Sequence, residues 1–198
     1  MSRQQSLGPV VRVEHGRKVL RVGGVIQSVH VDDAHVPDVW DAMLPDIRPA
    51  RALILGLGGG TMAQLLTRRY GDVPVIGVER DATVAALARD EFGLGAQPHV
   101  RIMVADALAW VRTERATYDC ILVDLFTAGK MAHGVLGERF LRDVARLLAP
   151  EGTASFNLWR SAYLDDALRR LGRVFTIHER LDVDQNVIVR AGHGELAA

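Results

Sequence analysis

The run Leu53-Ile54-Leu55-Gly56-Leu57-Gly58-Gly59-Gly60-Thr61, with Glu79 closing the next apolar segment Pro74-Val75-Ile76-Gly77-Val78, constrains this chain more than any other feature. An unbroken apolar run opening into glycines reads as a buried strand that empties into a tight turn. Glycine is needed there because the backbone bends sharply and a ligand must approach with no Cβ in the way. The spacing predicts a helix over residues 62–70 next, whose unpaired N–H groups and positive dipole end face whatever lies at the turn. An acid at the end of the second strand is placed to accept from both hydroxyls of a ribose. A glycine turn alone suits a structural strand-to-helix corner equally well. The acid at the right distance makes the pair read as a nucleoside site.

The glycine spacing then bears on which nucleoside. A nicotinamide dinucleotide calls for G-x-G-x-x-G/A, which counted from Gly56 puts the third small residue at Thr61. Here Gly60 arrives one residue early, giving G-x-G-x-G. That spacing resembles the first motif of class I S-adenosylmethionine-dependent transferases, which bind a single nucleoside with no pyrophosphate to cradle. Val100-Arg101-Ile102-Met103-Val104 reads as a third strand, followed by Ala105-Asp106-Ala107. In those transferases an Asp at this place accepts from the adenine amino group. Tyr118-Asp119-Cys120-Ile121-Leu122-Val123-Asp124 is a fourth strand, also ending in an acid. Open α/β sheets bind ligands outside the carboxyl ends of their strands, so Gly56, Glu79, Asp106 and Asp124 fall on one rim.

Two regions are expected, residues 1–49 and residues 50–198. The first holds short β-like runs, Val10-Val11-Arg12-Val13, Lys18-Val19-Leu20-Arg21-Val22 and Val25-Ile26-Gln27-Ser28-Val29. The turns His15-Gly16 and Gly23-Gly24 separate them, which predicts a small antiparallel sheet or hairpin. Pro37 is suited to open a linking helix to residue 44. From Arg51 onward strands and helices alternate, the pattern of a doubly wound, mostly parallel α/β sheet of Rossmann-like type. Helices are expected over residues 81–92 and 106–115, capped by Asp81 and Asp106. Another, over 136–149, should stop at a turn formed by Pro150-Glu151-Gly152. Strands over 153–159, 173–179 and 186–190, with a helix over 161–171, complete the set.

Several stretches together resemble the spermidine synthase family in order and spacing, over about residues 10–190. They are Gly24-Val25-Ile26-Gln27-Ser28, the rim above, Val123-Asp124-Leu125-Phe126, Gly137-Glu138-Arg139-Phe140-Leu141 and Leu148-Ala149-Pro150-Glu151-Gly152. Those enzymes transfer an aminopropyl group from decarboxylated S-adenosylmethionine to a diamine. They place a small N-terminal β-domain before a methyltransferase-like Rossmann domain and commonly form dimers. By position, the resemblance implies that Gln27 contacts the tail side of the nucleoside, Glu79 the ribose, Asp106 the adenine and Asp124 the acceptor nitrogen. The turn glycines Gly56, Gly58 and Gly60, with Ala107, complete the implied donor site.

The departures from that family bear on the acceptor. Its glycine turn reads G-G-G-D-G-G-T, with an acid facing the free amine of the donor's tail; here the turn is one residue shorter and lacks that acid. Its D-x-x-D-P loop uses the second acid to grip the diamine; here Asp124 is kept, Thr127 holds the second place and no proline follows. The tyrosine expected about nine residues after Gln27 is replaced by Val36. A dication needs more than one carboxylate or aromatic face, so the pocket looks poorly built for a standard diamine.

The other residues have ordinary readings beside the functional ones. Lys and Arg total 24 against 24 Asp and Glu, so no global field favours nucleic acid or an anionic membrane. No apolar run reaches the ~18 residues of a bilayer span, and residues 1–9 lack a signal peptide's apolar stretch; the expectation is a cytoplasmic protein. Cys120 is mid-strand and reads as a small buried hydrophobe. His30, His35 and His133 show no metal-ligand spacing and read as surface or loop residues, so no metal is expected. Trp159 reads as a wall of the acceptor pocket or as a packing residue, and Trp40 and Trp110 as core or interface. Lys130 and His133 belong to a segment, residues 128–134, that is either a lid or a solvated loop. Arg169, Arg170 and Arg173 form a solvated helix face.

The expected function is a spermidine synthase-like transferase using S-adenosylmethionine or its decarboxylated form to alkylate an amine-type small molecule. Asp124 would orient or deprotonate the acceptor amine, since an ammonium has no lone pair with which to attack. A small-molecule methyltransferase and a non-catalytic S-adenosyl nucleoside-binding protein remain as alternatives, and a homodimer is possible.

Overall fold

The computed structural model describes residues 8–31, 38–127 and 129–194. The readings made above for His35, Val36, Pro37 and Ala128 lie outside the described residues. Three strands come first, β1 (Val10–Glu14), β2 (Arg17–Val22) and β3 (Val25–Val29), paired antiparallel as a small sheet. Their connections are two-residue loops with positive φ at both positions, His15 and Gly16, then Gly23 and Gly24. Such loops match the twist of the strands they join. A short helix, α1 (Asp38–Met43), leads to the main sheet.

The alternation expected after Arg51 is realised as β4 (Ala52–Leu55), α2 (Thr61–Tyr70), β5 (Val75–Glu79), α3 (Ala82–Asp90), β6 (Val100–Val104), α4 (Ala107–Thr113) and β7 (Tyr118–Val123). A two-strand hairpin, β8 (Phe126–Thr127) and β9 (Lys130–Met131), follows, then α5 (Glu138–Leu147), β10 (Leu148–Trp159), α6 (Leu164–Leu171), β11 (Thr176–Val183) and β12 (Asn186–Gly192). Seven strands form one sheet in the order β11-β12-β10-β7-β4-β5-β6. The five from β10 to β6 are parallel, and β12 runs antiparallel to both β10 and β11. This is the Rossmann-like, mostly parallel architecture the alternation implied.

Period-two side-chain direction divides the core between the two faces of the sheet. Leu53 and Leu55 of β4, Ile121 and Val123 of β7, and Val187 and Val189 of β12 pack on one face with α4, α5 and α6. Ala52, Ile54, Cys120, Leu122 and Ile188 pack on the other. That second cluster also takes in Val19 and Val29 of the small sheet and Trp40 and Met43 of α1. Because both faces are covered, the central strands read as continuous apolar runs. Cys120 is buried, and desolvation pushes its thiol up to about 12, in keeping with an inert core residue.

Several element boundaries differ from those expected. The helix before Pro150 ends at Leu147, and Pro150-Glu151-Gly152 lies inside β10 instead of forming a separate turn. The β10–β7 register shifts between Leu148 and Thr153, a bulge that accommodates a residue with no N–H to give. α6 starts at Leu164, and the following strand at Thr176, later than the expected residues 161 and 173. Phe175 N–H bonds back to the Leu171 carbonyl at 2.9 Å, so residues that looked strand-like wrap the helix end and bury Leu171 and Phe175.

Candidate functional site

The chain runs from β4 through β5 to β6 on one side of the sheet, then returns to β7 and β10 on the other. The carboxyl ends of β4 and β7 therefore flank the switch point, where open sheets leave a crevice. A cavity of about 280 Å³ lies there, near the small end of the ~300–1,000 Å³ range of ligand pockets. Its wall includes Gln27, Gly56, Gly58, Glu79, Asp106, Ala107, Asp124 and Thr127. Two other expected members stand apart. Gly60 is not in the wall; it begins α2 with φ +90°, and Leu94 fills the space a Cβ would take. Trp159 is 42% exposed at the end of β10, also outside the wall.

The glycine turn is shaped by close contacts. Gly56 has φ +90°, and a Cβ there would come within 2.1 Å of the Asp124 carbonyl oxygen. The Asp124 N–H in turn bonds the Leu55 carbonyl at 2.8 Å, so the ends of β4 and β7 are drawn together. Gly58, with φ +55°, donates its N–H to Glu79 Oε2 at 3.0 Å. The other oxygen of Glu79 accepts from the Asp81 N–H at 3.0 Å. Asp81 and Asp106 cap α3 and α4, accepting from Thr83 and Val84 N–H and from Ala109 N–H respectively.

The small sheet is tied to the turn through side chains. Ser28 Oγ accepts the buried Gly59 N–H at 2.6 Å. Thr61, at 2% exposure, accepts from Val29 N–H at 2.9 Å and donates to its carbonyl at 2.7 Å, standing in for a strand neighbour. Gln64 accepts from Val31 N–H at 2.8 Å and donates to the Phe92 carbonyl at 2.7 Å. The residue at the position of the dinucleotide fingerprint's third glycine is thus a polar anchor for β3.

Asp124 closes the far side. Its carboxylate accepts from Asn157 Nδ2 at 2.8 Å and from the Trp40 indole N–H at 3.2 Å. Desolvation raises its pKa above the ordinary carboxylate value, and these two donors offset part of that. Asn157 is itself oriented by Asn186, whose Nδ2 donates to its Oδ1 at 2.7 Å. Trp40 was expected as a core or interface residue; it is buried at 7% exposure, and its N–H serves Asp124. Asn157 and Asn186 carried no sequence signal, since neither stands in a motif. Arg80 was also missed: it lines the cavity and donates from Nη2 to Thr127 Oγ1 at 3.1 Å.

Lys130 and Met131 of the segment read as a lid or loop form the second strand of the β8–β9 hairpin. His133 follows it. Among the described residues no helix is long and apolar enough to cross a membrane.

Comparison with known proteins bears on this arrangement. Residues 52–152 match the methyltransferase domain family. Over 112 residues the chain is 32% identical to the polyamine aminopropyltransferase of Chromobacterium violaceum, covering 56% of this chain and 43% of that protein. Over 170 residues it is 28% identical to the polyamine aminopropyltransferase of Thermococcus onnurineus, covering 80% and 60% respectively. The chain thus spans about half the length of the curated relatives it matches. The crystal structure of a probable spermidine synthase from Corynebacterium glutamicum superposes with a TM-score of 0.81 at 22% identity, over 96% of this chain and 78% of that one. At that identity the structural likeness is one of fold.

Proposed function

The chain belongs to the methyltransferase domain family in a spermidine synthase-like form, and on that premise we propose a transferase that uses an S-adenosyl sulfonium donor to alkylate an amine-type small molecule. One observation carries this reading: Glu79, Gly58, Asp106 and Asp124 share the wall of a single cavity at the switch point. Its volume of about 280 Å³ suits one nucleoside better than a dinucleotide. Glu79 and Asp106 would hold the ribose and the adenine, with Ala107 beside the base and Gln27 toward the tail. The absence of a Cβ at Gly56 and Gly58 lets the turn pack against the Asp124 carbonyl on one side and Ser28 and the Gln27 carbonyl on the other. Residues 50–198 are then the catalytic domain, and residues 1–49 an accessory β-segment that braces the glycine turn through Ser28.

The donor supplies a carbon made electrophilic by the adjacent sulfonium. The protein's part is to hold the acceptor nitrogen in line and exclude water. Asp124 takes the proton the amine must lose, and its raised pKa makes it a better base than an ordinary carboxylate. Asn157 and Trp40 fix the direction of its lone pairs. Polyamine aminopropyltransferase activity belongs to the relatives by name, and aminopropyl transfer is the first candidate here.

Methyl transfer is the second reading, favoured by the lack of an acid in the Gly58-Gly59-Gly60 turn. Decarboxylated donor ends in an ammonium that such an acid would attract, whereas S-adenosylmethionine adds a carboxylate it would repel. A partly buried charge pair of this kind is worth on the order of 1–3 kcal/mol. S-adenosylmethionine should therefore bind comparably to the decarboxylated form or better. Incubation with each donor and a panel of amines, read by mass spectrometry, decides between the transfers. Methylthioadenosine as product indicates aminopropyl transfer, and S-adenosylhomocysteine methyl transfer. Tighter binding of NAD than of either nucleoside would end the reading. The proposed setting is the cytoplasm and the proposed assembly a homodimer, which analytical ultracentrifugation would test.

A further inference from the structure

Arg80 is the only cation among the described residues that line the cavity. It follows Glu79 at the end of β5, while Thr127, its hydrogen-bond partner at 3.1 Å, stands in β8 just beyond Asp124. The guanidinium therefore reaches from the rim beside Glu79 to the side of the cavity that holds Asp124. The acids of that wall are already engaged. Glu79, Asp81 and Asp106 each accept from backbone N–H groups, and Asp124 accepts from Asn157 and Trp40. Arg80 instead donates to a neutral hydroxyl, and no carboxylate among the described residues forms an ion pair with it. A guanidinium has five N–H donors in a planar fork, so most remain available to a ligand. That fork matches a carboxylate in geometry and charge, and it repels an ammonium.

We infer that Arg80, steered by Thr127, recognises an anionic group on the acceptor, so that the acceptor is an amine carrying a carboxylate-class acid and not a diamine. The inference rests on the transferase reading for which end of the cavity receives the acceptor. The Thr127 hydroxyl fixes the fork without neutralising it, which an acid at that position would do. The amine end then meets Asp124 and the acidic end meets Arg80, two opposite charges on the same side of one cavity.

The test uses two amines of equal chain length, 4-aminobutanoate and 1,4-diaminobutane, which differ only in a terminal carboxylate or ammonium. Each is titrated calorimetrically into the full chain, alone and saturated with methylthioadenosine. Wild type should favour 4-aminobutanoate by about ten-fold or more, the scale of one charge-assisted pair. Arg80→Ala should remove that preference, and Arg80→Ala combined with Thr127→Asp should turn it toward the diamine. Equal affinity in the wild type, a diamine preference, or no binding of either amine would overturn the inference.

Two further arms identify the source of the anion. If Arg80→Ala weakens S-adenosylhomocysteine but leaves the 4-aminobutanoate preference intact, the partner is the donor's own carboxylate and the acceptor assignment falls. If it weakens methylthioadenosine, which has no anion, by as much as 4-aminobutanoate, Arg80 is a purine contact and the inference falls as well. Failure of wild type to bind either nucleoside sinks the transferase reading instead. The amine preference is still read in the nucleoside-free protein, so the Arg80 anion site is judged separately.

Discussion

The Asn157 side-chain amide donates to Asp124 at 2.8 Å while its carbonyl accepts from Asn186 at 2.7 Å. Flipping the Asn157 amide would set N–H against N–H at Asn186 and oxygen against oxygen at Asp124. The amide therefore has one orientation, and Asp124 faces a fixed donor. The Trp40 indole supplies a second at 3.2 Å.

Replacing Asn157 with Leu removes a donor that favours the ionised carboxylate, so the already raised Asp124 pKa should rise further. The acid limb of the kcat/KM profile should then move to higher pH. Asn186→Ala, which only frees the Asn157 amide to turn, should move it less. An unmoved limb in Asn157→Leu would separate Asp124 from the titration that limits the rate.

Asp124→Asn should leave donor binding near normal and lower turnover by about 10²-fold or more, the usual scale for a general base. Its stability has a defined pH trend. A folded-state pKa above the unfolded value means the native protein binds the proton more tightly, so the Asp124 contribution is best at low pH and declines as pH rises through the interval between the two values. The melting temperature of the variant relative to wild type should therefore improve from pH 3 to pH 8. Full activity of Asp124→Asn on the true acceptor would remove it from the mechanism.

Glu79 supports the turn as well as facing the cavity, with Gly58 and Asp81 N–H groups on its two oxygens. Gln keeps one acceptor and turns an NH₂ toward the other N–H. Glu79→Gln should cost about 1–3 kcal/mol of stability, and calorimetry should show roughly ten-fold or greater loss of affinity for S-adenosylhomocysteine or methylthioadenosine. A stability loss with unchanged affinity would leave Glu79 as a strut only.

Ser28→Ala leaves the buried Gly59 N–H without its 2.6 Å acceptor. The expected cost is about 1–3 kcal/mol, read by denaturant unfolding. Amide exchange at Gly59 and Gly58 should accelerate more than in β11, the edge strand farther from β4. Uniform acceleration would mean that the small sheet braces the whole domain and not the turn in particular.

The amino-acid sequence by itself determined the parts of this protein that depend on local periodicity and backbone chemistry. Apolar runs of strand length, alternating with helical patterns, specify a parallel sheet covered on both faces. Glycines that need positive φ, and acids at successive strand ends, mark the rim because strand direction alone carries them there. Asp81 and Asp106 were legible as helix caps for the same reason: a cap acts within three residues. Tertiary structure alone decided what surrounds Asp124. Trp40 and Asn157 lie 84 and 33 residues away in the chain, and Arg80 lies 47 residues from Thr127. No periodicity links such positions; only the strand order brings them into contact. The ends of α5 and α6 were also settled there, because burial of Leu147, Leu171 and Phe175 outweighed the weak local signals at Pro150 and Arg173. Local chemistry could place the acids on the rim, but the charge an acceptor meets depends on which side chains the folded sheet sets beside them.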